Sequence, residues 1–486
     1  MNYELSILQF AAAIGLALPL GLIAAIQRPR LLLWLYFATF TLFPKFVYVR
    51  LGNQLYPAVA ASCGAISLLL VLAALHRKRG FTPFHRRYGI RTLFVALSLT
   101  YAATTLIPLA LNALGIGNPL AIPISTKANG ASLVFFEYAV AFSGFIFLDC
   151  LSAVDTLLRL VTSLATLGSL EAVLFYYVRI GGVLEPYAIN RYGQLDGVTF
   201  GSPDALARII GIAVFAVLYF AARPGLKFLY GLLPLFALGL VATQNRATAV
   251  SILAGLILYT ALRGRTRGRS AVFVAWLWIA AIGVAAFGVG VTRLLDAELS
   301  SVRSDYKDPS NALARLVIAQ RGVDVAWHTF PLGVGSGQVP YYMNSPEVES
   351  LFGEAEYYDN RPLYYAIRSG SLLTSVHNLY LNFVIESGVL GVVVLVLLGA
   401  LLVRTFLHAW RRRDLYRRTP LDAIFALLAS IALNVGADST FRPYALYLCL
   451  TWSAVLIAYG TRTLETRMVL VQSRQDTIAE APVEQL

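Results

Sequence analysis

The sequence predicts an all-α, polytopic membrane protein, and three observations carry that prediction. Hydrophobic residues fill 58% of the 486 positions and charged residues only 13%, against about 25% charged in soluble domains. Mean hydropathy is +0.68. Apolar stretches of about 20 residues recur from one end of the chain to the other, each long enough to cross a hydrocarbon layer of roughly 30 Å as a helix.

About thirteen such spans are expected, beginning near Ser6, Leu31, Tyr56, Thr92, Ala131, Thr156, Ala205, Phe228, Ala247, Ala271, Val376, Leu421 and Pro443. The count falls to twelve if the second span, which carries Pro44 and Lys45, or the weakly charged loop from Cys150 to Asp155 marks a re-entrant segment. The start, Met1 to Ser6, holds Glu4 and no Lys or Arg. It lacks the basic opening of a cleavable signal peptide, so the first apolar run is expected to be retained.

Alternate connections hold the basic clusters: Arg28 and Arg30; Arg77, Lys78, Arg79, Arg86 and Arg87; Arg223 and Lys227; Arg263, Arg265, Arg267 and Arg269; Arg411, Arg412, Arg413, Arg417 and Arg418. The bias of Lys and Arg toward cytoplasmic loops puts these inside. Every other connection then faces outward, including the turn Gln244-Asn245-Arg246 and the long stretch from Thr292 to Ser375. The net charge of +13 is an orientation signal on this account, not a nucleic-acid footprint. The expected organisation is membrane helices over 1–291, one large outer, periplasmic loop domain over 292–375, membrane helices over 376–462, and a polar, disordered cytoplasmic tail over 463–486.

Cys63, Cys150 and Cys449 lie in or beside apolar segments with no spacing that suggests a zinc site or a disulfide framework. The outer loop has soluble-protein composition, with seven Arg/Lys against ten Asp/Glu and tyrosines at 341, 342, 357, 358, 364 and 365. Function is expected there. No pair of matching Gly/Pro-broken spans marks the inverted repeat found in many transporters.

The segment Ser375-Val376-His377-Asn378-Leu379-Tyr380-Leu381-Asn382-Phe383-Val384-Ile385-Glu386-Ser387-Gly388 opens a span with a His-Asn pair and later admits a glutamate. An apolar helix has no intrinsic reason to hold these residues. On a helix, Asn378, Asn382 and Glu386 recur at i, i+4 and i+8, so a polar stripe descends from the outer surface. The competing bland account makes His377 an interfacial residue and Glu386 a structural ion-pair partner.

Ser375-x-His377-Asn378-x-Tyr380-Leu381, followed by Glu386-x-Gly388-x-x-Gly391, resembles the signature of the bacterial O-antigen ligase and O-antigen polymerase superfamily. Upstream, Ala314-Arg315-Leu316, Trp327 and the run Phe330 to Gly337 resemble that family's Arg…Pro-Leu-Gly-Val-Gly element. Thr243-Gln244-Asn245-Arg246-Ala247-Thr248 resembles its outer arginine turn, with Gln-Asn where a Ser-x-Ser lead-in is common. The likeness runs from about Phe200 to Gly391.

The resemblance implies a GT-C-like membrane glycosyltransferase of the bacterial inner membrane. It would move a glycan from an undecaprenyl-diphosphate donor to a sugar hydroxyl of a lipid A core or a growing polysaccharide, in lipopolysaccharide or exopolysaccharide synthesis, by an inverting single displacement. Arg246 and Arg315 would hold the diphosphate, because a guanidinium presents a planar fork of donors that suits phosphate oxygens. His377 would accept the acceptor's proton, its unperturbed pKa of about 6.5 suiting that task. Asn378, Tyr380 and Glu386 would orient or support it. No Asp-x-Asp stands on the outer face, so metal-independent catalysis without a cofactor is expected, with membrane lipids and no nucleic acid among the partners.

Arg191, Arg208 and Arg321 are weaker candidates. Arg321, with Arg361 and Arg368, can equally pair with loop acids such as Asp324 or Glu354, and Arg191 and Arg208 can snorkel at the membrane boundary. The glycines at 333, 335 and 337 lack the strand, helix and Lys-Ser/Thr context of a nucleotide loop, which points to a tight turn. The rival of a different class is a transporter or flippase for lipid-linked sugars, which would carry ionisable residues near mid-membrane and paired broken helices.

Overall fold

Every side chain from Leu206 to Ala221 is buried on a helix that begins at Pro203, and this helix is the axis of the bundle. A helix apolar on all sides has to be surrounded. The computed structural model describes residues 29–41, most of 66–73, 90–116, most of 138–180, residue 195, most of 203–263, the helix over 311–329, most of 330–342, 376, 378–411, 421–437 and 446–459.

The helices are α1 (Pro29–Thr41), α2 (Arg91–Ala113), α3 (Tyr138–Phe147), α4 (Leu151–Tyr177), α5 (Pro203–Ala221), α6 (Lys227–Thr243), α7 (Arg246–Arg263), α8 (Asn311–Thr329), α9 (Leu379–Arg411), α10 (Leu421–Ala437) and α11 (Leu446–Tyr459). Four of them, α2, α4, α5 and α9, are long and apolar enough to cross a membrane. The chain is a helical membrane protein. Helices stand where the sequence expects its second, fourth to ninth and eleventh to thirteenth spans. The sixth begins at Leu151 and not near Thr156. The first and tenth expected spans, most of the third, most of the expected outer loop and the 463–486 tail fall outside the described residues.

Ser and Thr are tolerated in these apolar helices because their hydroxyls turn back onto the carbonyl one turn earlier. Thr162 donates to Leu158, Ser143 to Ala139, Ser251 to Ala247 and Thr405 to Leu401, all at 2.7 to 2.8 Å. Such bonds remove a polar group that hydrocarbon cannot satisfy.

α5 packs against α4, α6, α7 and α10, while α7 and α10 form the most extensive pairing. Small residues set these approaches, as expected where the solvent is as apolar as the side chains. A Cβ on Gly255 of α7 would lie 2.8 Å from the Ala426 carbonyl of α10 and 3.0 Å from Ser430 Cβ. One on Gly211 of α5 would lie 3.3 Å from Thr248 Cγ2 of α7. α9 sits at the margin, against α2, α8 and α10.

One end of the bundle is basic and tied by polar contacts. Arg223, just past α5, makes a two-pronged ion pair with Asp155 of α4 at 2.6 and 2.8 Å, and Tyr219 donates to the same carboxylate at 3.0 Å. Hydrogen bonding to Asp155 raises the Arg223 pKa above its already high value, so the guanidinium stays charged. Arg30 donates to the Phe147 carbonyl at 3.2 Å, and the His408 ring stacks on Tyr459 at 4.2 Å between centroids. The start of α1, the end of α3, the start of α4 and the end of α5 therefore lie at this end, and the end of α9 lies on the end of α11, whose Trp452 donates to the Leu148 carbonyl just past α3 at 3.0 Å. These are the connections in which the sequence places its cytoplasmic charges.

Replacing Gly255 by Val pushes an isopropyl group into the α5/α7/α10 junction, an overpacking that costs about 1–3 kcal/mol or more. The expected result is a melting temperature several degrees lower in detergent and a broadened size-exclusion peak; unchanged thermal stability would show that this junction is not close-packed.

Candidate functional site

At the opposite end, four candidate segments meet through backbone and capping contacts. α6 ends at Gln244 in a left-handed conformation (φ 53°), and Asn245 then caps α7. Asn245 Oδ1 accepts from the Thr248 amide at 2.8 Å, and its Nδ2 donates to Asp204 Oδ1 at the head of α5. The Gln-Asn departure from the family's lead-in is thus a helix cap joined to α5. Arg246 follows at the first helical position and is exposed. A cation there opposes the helix dipole by about 0.3–1 kcal/mol. Stability alone therefore does not favour an arginine at this position.

α9 starts by the same device. Asn378 Oδ1 accepts from the Leu381 amide at 3.0 Å, the N-cap bond that satisfies an orphan donor of the first turn. Tyr380 donates its hydroxyl to the Ala432 carbonyl of α10 at 2.9 Å, and Gly436 lies against its ring. Two residues along α10, Asn434 donates to Thr248 of α7 at 2.9 Å. Tyr380, α10 and Thr248 thereby tie the head of α9 to the head of α7. His377 itself lies outside the described residues, between Val376, which is buried, and Asn378.

α8 is a helix inside what the sequence reads as the outer loop, and it is seated on the head of α9 through a glycine. A Cβ on Gly322 would lie 2.6 Å from Val376 Cγ1, 3.1 Å from Leu381 Cδ2 and 3.2 Å from Ile385 Cδ1. Position 315 is seven residues earlier, on the same helix face and roughly 10 Å along the axis. The helix that carries Arg315 therefore passes directly beside Val376. The side chains of Arg315 and Arg321, and all of Arg191, are outside the described residues.

The glycine-rich element and the Glu-x-Gly element are two halves of one contact. α9 is broken at Gly388, whose φ of 55° and ψ of −136° are not helical. Around the break, the Val334 amide donates to the Ile385 carbonyl at 2.8 Å and the Gly335 amide to the Glu386 carbonyl at 2.9 Å, while the Val389 amide donates to the Pro331 carbonyl at 2.9 Å. A Cβ on Gly333 would lie 2.6 Å from both the Glu386 carbonyl and the Gly388 nitrogen, and one on Gly388 would fall on the Pro331 carbonyl. These amides are committed to carbonyls, so the Gly333–Gly335 turn is no phosphate cradle. Within α9, Asn382 Nδ2 lies 3.3 Å from Glu386 Oε1, which realises the polar stripe.

Arg208 sits on α5 one turn below Asp204 and is only 5% exposed. It does not snorkel to solvent. With Thr248, Ser430, Asn434 and Tyr447 it lines a small cavity beneath the Arg246 turn, with room (20 Å³) for about one water molecule. Ser430 and Asn434 carry no signal in the sequence beyond a polar residue in an apolar run, and Thr248 appears there only as the last residue of the arginine turn. Among the described residues, no three His, Cys, Asp or Glu side chains converge as metal ligands would.

Asn245→Ala and Asn378→Ala each remove one cap and are expected to cost about 1 kcal/mol of stability. Thermal unfolding of the purified variants checks this, with Asp or Ser at either position restoring most of the loss; no change in either alanine variant would refute the capping assignments.

Residues 231–396 match the family model described as O-antigen ligase. The matched segment contains Arg246, Arg315, His377, Asn378, Tyr380 and Glu386, and leaves Arg191 and Arg208 outside. No curated protein matches the chain.

Proposed function

The chain belongs to the O-antigen ligase superfamily and is a glycosyltransferase-type membrane enzyme acting on lipid-linked glycans, and from that premise we propose how it works. It transfers a glycan from an undecaprenyl-diphosphate carrier to a sugar hydroxyl of a lipid A core or a growing polysaccharide. The reaction takes place at the periplasmic face of the bacterial inner membrane, over about thirteen spans and the outer loop of 292–375. The observation that carries this reading is the meeting of helix heads at the end of the bundle away from the basic connections. Tyr380, α10, Thr248 and Asn245 link the segment after His377 to Arg246, and Gly322 seats the Arg315 helix on Val376.

The chemistry follows from charge. As the anomeric carbon–oxygen bond breaks, the diphosphate gains negative charge on the leaving oxygen. Arg246 and Arg315 stabilise that charge more in the transition state than in the ground state, which is what lowers a barrier. The heads of α5, α7 and α9 add their positive dipole ends at the same place. His377 takes the proton of the attacking hydroxyl as the new glycosidic bond forms. Asn378 and Tyr380 fix the start of α9 and so the place of the imidazole. With two guanidinium groups neutralising the leaving group, the reaction runs without a metal ion.

His377→Ala is expected to lower turnover by roughly 10²- to 10⁴-fold, the usual contribution of a general base, with unchanged membrane insertion. Near-parent product formation, read by gel shift after incubation with undecaprenyl-diphosphate glycan and acceptor, would remove His377 from the mechanism.

Arg246→Lys and Arg315→Lys keep the charge and lose the two-pronged geometry. Each is expected to weaken donor use in the same assay with EDTA present. Full activity of both Lys variants would show that charge alone suffices, and inhibition of the parent by EDTA would overturn metal independence.

A further inference from the structure

The turn Pro331–Ser336 docks on α9 and α2 together. Besides its bonds to Ile385, Glu386 and Val389, the Ser336 amide donates to the Thr104 carbonyl at 3.2 Å, and Thr105 donates its hydroxyl to Ser336 Oγ at 2.7 Å. Thr104 and Thr105 lie in a π-helical turn, Ala102–Leu106, that interrupts α2. A π turn widens the helix and presents a carbonyl that a regular helix would keep for itself, and such turns gather at functional sites. A Cβ on Gly335 would lie 3.0 Å from the Thr104 carbonyl. Thr104, Thr105, Ser336 and Gln338 are all buried. Two helix irregularities and one glycine-rich turn are therefore complementary parts of one joint.

The joint has a mechanical consequence. α9 has two halves that meet at Gly388, and a break of this kind lets the outer half tilt relative to the inner half. Three backbone hydrogen bonds from one turn close the break, and that turn leads directly out of α8. The outer half of α9 begins at Leu379, two residues after His377, and α8 carries Arg315. We infer that the Pro331–Ser336 turn, locked into the Gly388 break and onto the Thr104–Thr105 π turn, is a positioning device that sets the segment bearing His377 against the helix bearing Arg315. Gly333, Gly335, Gly388, Thr105 and Ser336 are its positioning residues. None of them touches substrate on this account, and the inference rests on the assignment of His377 and Arg315 proposed above.

The experiment uses the full-length protein in detergent or nanodiscs, with undecaprenyl-diphosphate glycan as donor and an acceptor that the parent protein glycosylates. Gly333→Ala is expected to lower kcat about 100-fold, the effect of an ångström-scale misplacement of reacting groups. KM for the donor stays within about threefold, since the diphosphate still meets its arginines. Thr105→Val and Ser336→Ala remove only hydroxyls and introduce no backbone strain, so they decide the matter if Gly333→Ala does not fold. Each is expected to lower kcat about tenfold with KM unchanged. A Thr105→Cys/Ser336→Cys pair, oxidised to a disulfide, is expected to keep kcat near the parent value, because a covalent link replaces the hydrogen bond.

Parent-level kcat in folded Gly333→Ala, or in both hydroxyl variants, overturns the inference; so does a loss that falls on KM instead of kcat. Collapse of kcat in the cross-linked pair overturns it as well. A fully active His377→Ala control would instead overturn the catalytic assignment, which keeps the two failures apart.

Discussion

A backbone amide or carbonyl facing hydrocarbon without a partner costs several kcal/mol, and the break in α9 would leave three such groups exposed. The structure solves this with the turn after α8, whose own amides and carbonyl are paired by the same contact. Neither half is tenable alone. Gly388 needs the Pro331 carbonyl and the Val334 and Gly335 amides, and the turn needs the Ile385 and Glu386 carbonyls. This mutual requirement explains why two sequence elements some fifty positions apart are both rich in glycine: the two backbones approach more closely than any Cβ allows.

The bundle also has two chemically different ends. One holds Arg30 and the Arg223–Asp155 ion pair, which join helices beside the exposed cations Lys227 and Arg411. At the other, the polar side chains are spent on aligning helix heads. Asn245 and Asn378 cap, Tyr380 bridges, and Asp204 holds Asn245, while Arg246 remains exposed beside them. An arginine placed against the local helix dipole, at the rim of a membrane where the dielectric is low, binds an anion more strongly than it would in bulk water. The two ends thus differ in what their polar side chains do: an ion pair joins helices at one, and caps align helix heads at the end proposed for catalysis.

Much of this was legible in the sequence, for identifiable reasons. Hydropathy marks a membrane helix whatever its neighbours, so the starts of α5, α6, α7 and α10 fall within a few residues of expectation. The sixth span begins earlier than expected because Ser152 and Asp155 interrupt its apolar pattern, yet Asp155 is neutralised by Arg223 and can sit in the helix. Asn378, Asn382 and Glu386 were expected as a stripe on one face, and the Asn382–Glu386 contact lies on it. Less visible was α8, set in a loop of soluble composition. The joint at Gly388 was invisible as a contact, because backbone-to-backbone bonding leaves no trace in side-chain chemistry beyond glycine itself. The burial of Arg208 was likewise hidden, since composition cannot distinguish an arginine at the membrane rim from one lining a cavity.

The central claim is that an imidazole and two guanidinium groups, remote in the chain, surround one diphosphate at the outer end of the bundle. A cryo-electron microscopy structure of the protein in nanodiscs with undecaprenyl diphosphate tests it most directly. The account predicts diphosphate density between Arg246 and Arg315, with His377 facing the adjoining space. Density at the basic end near Arg223, or remote from all three side chains, would contradict it.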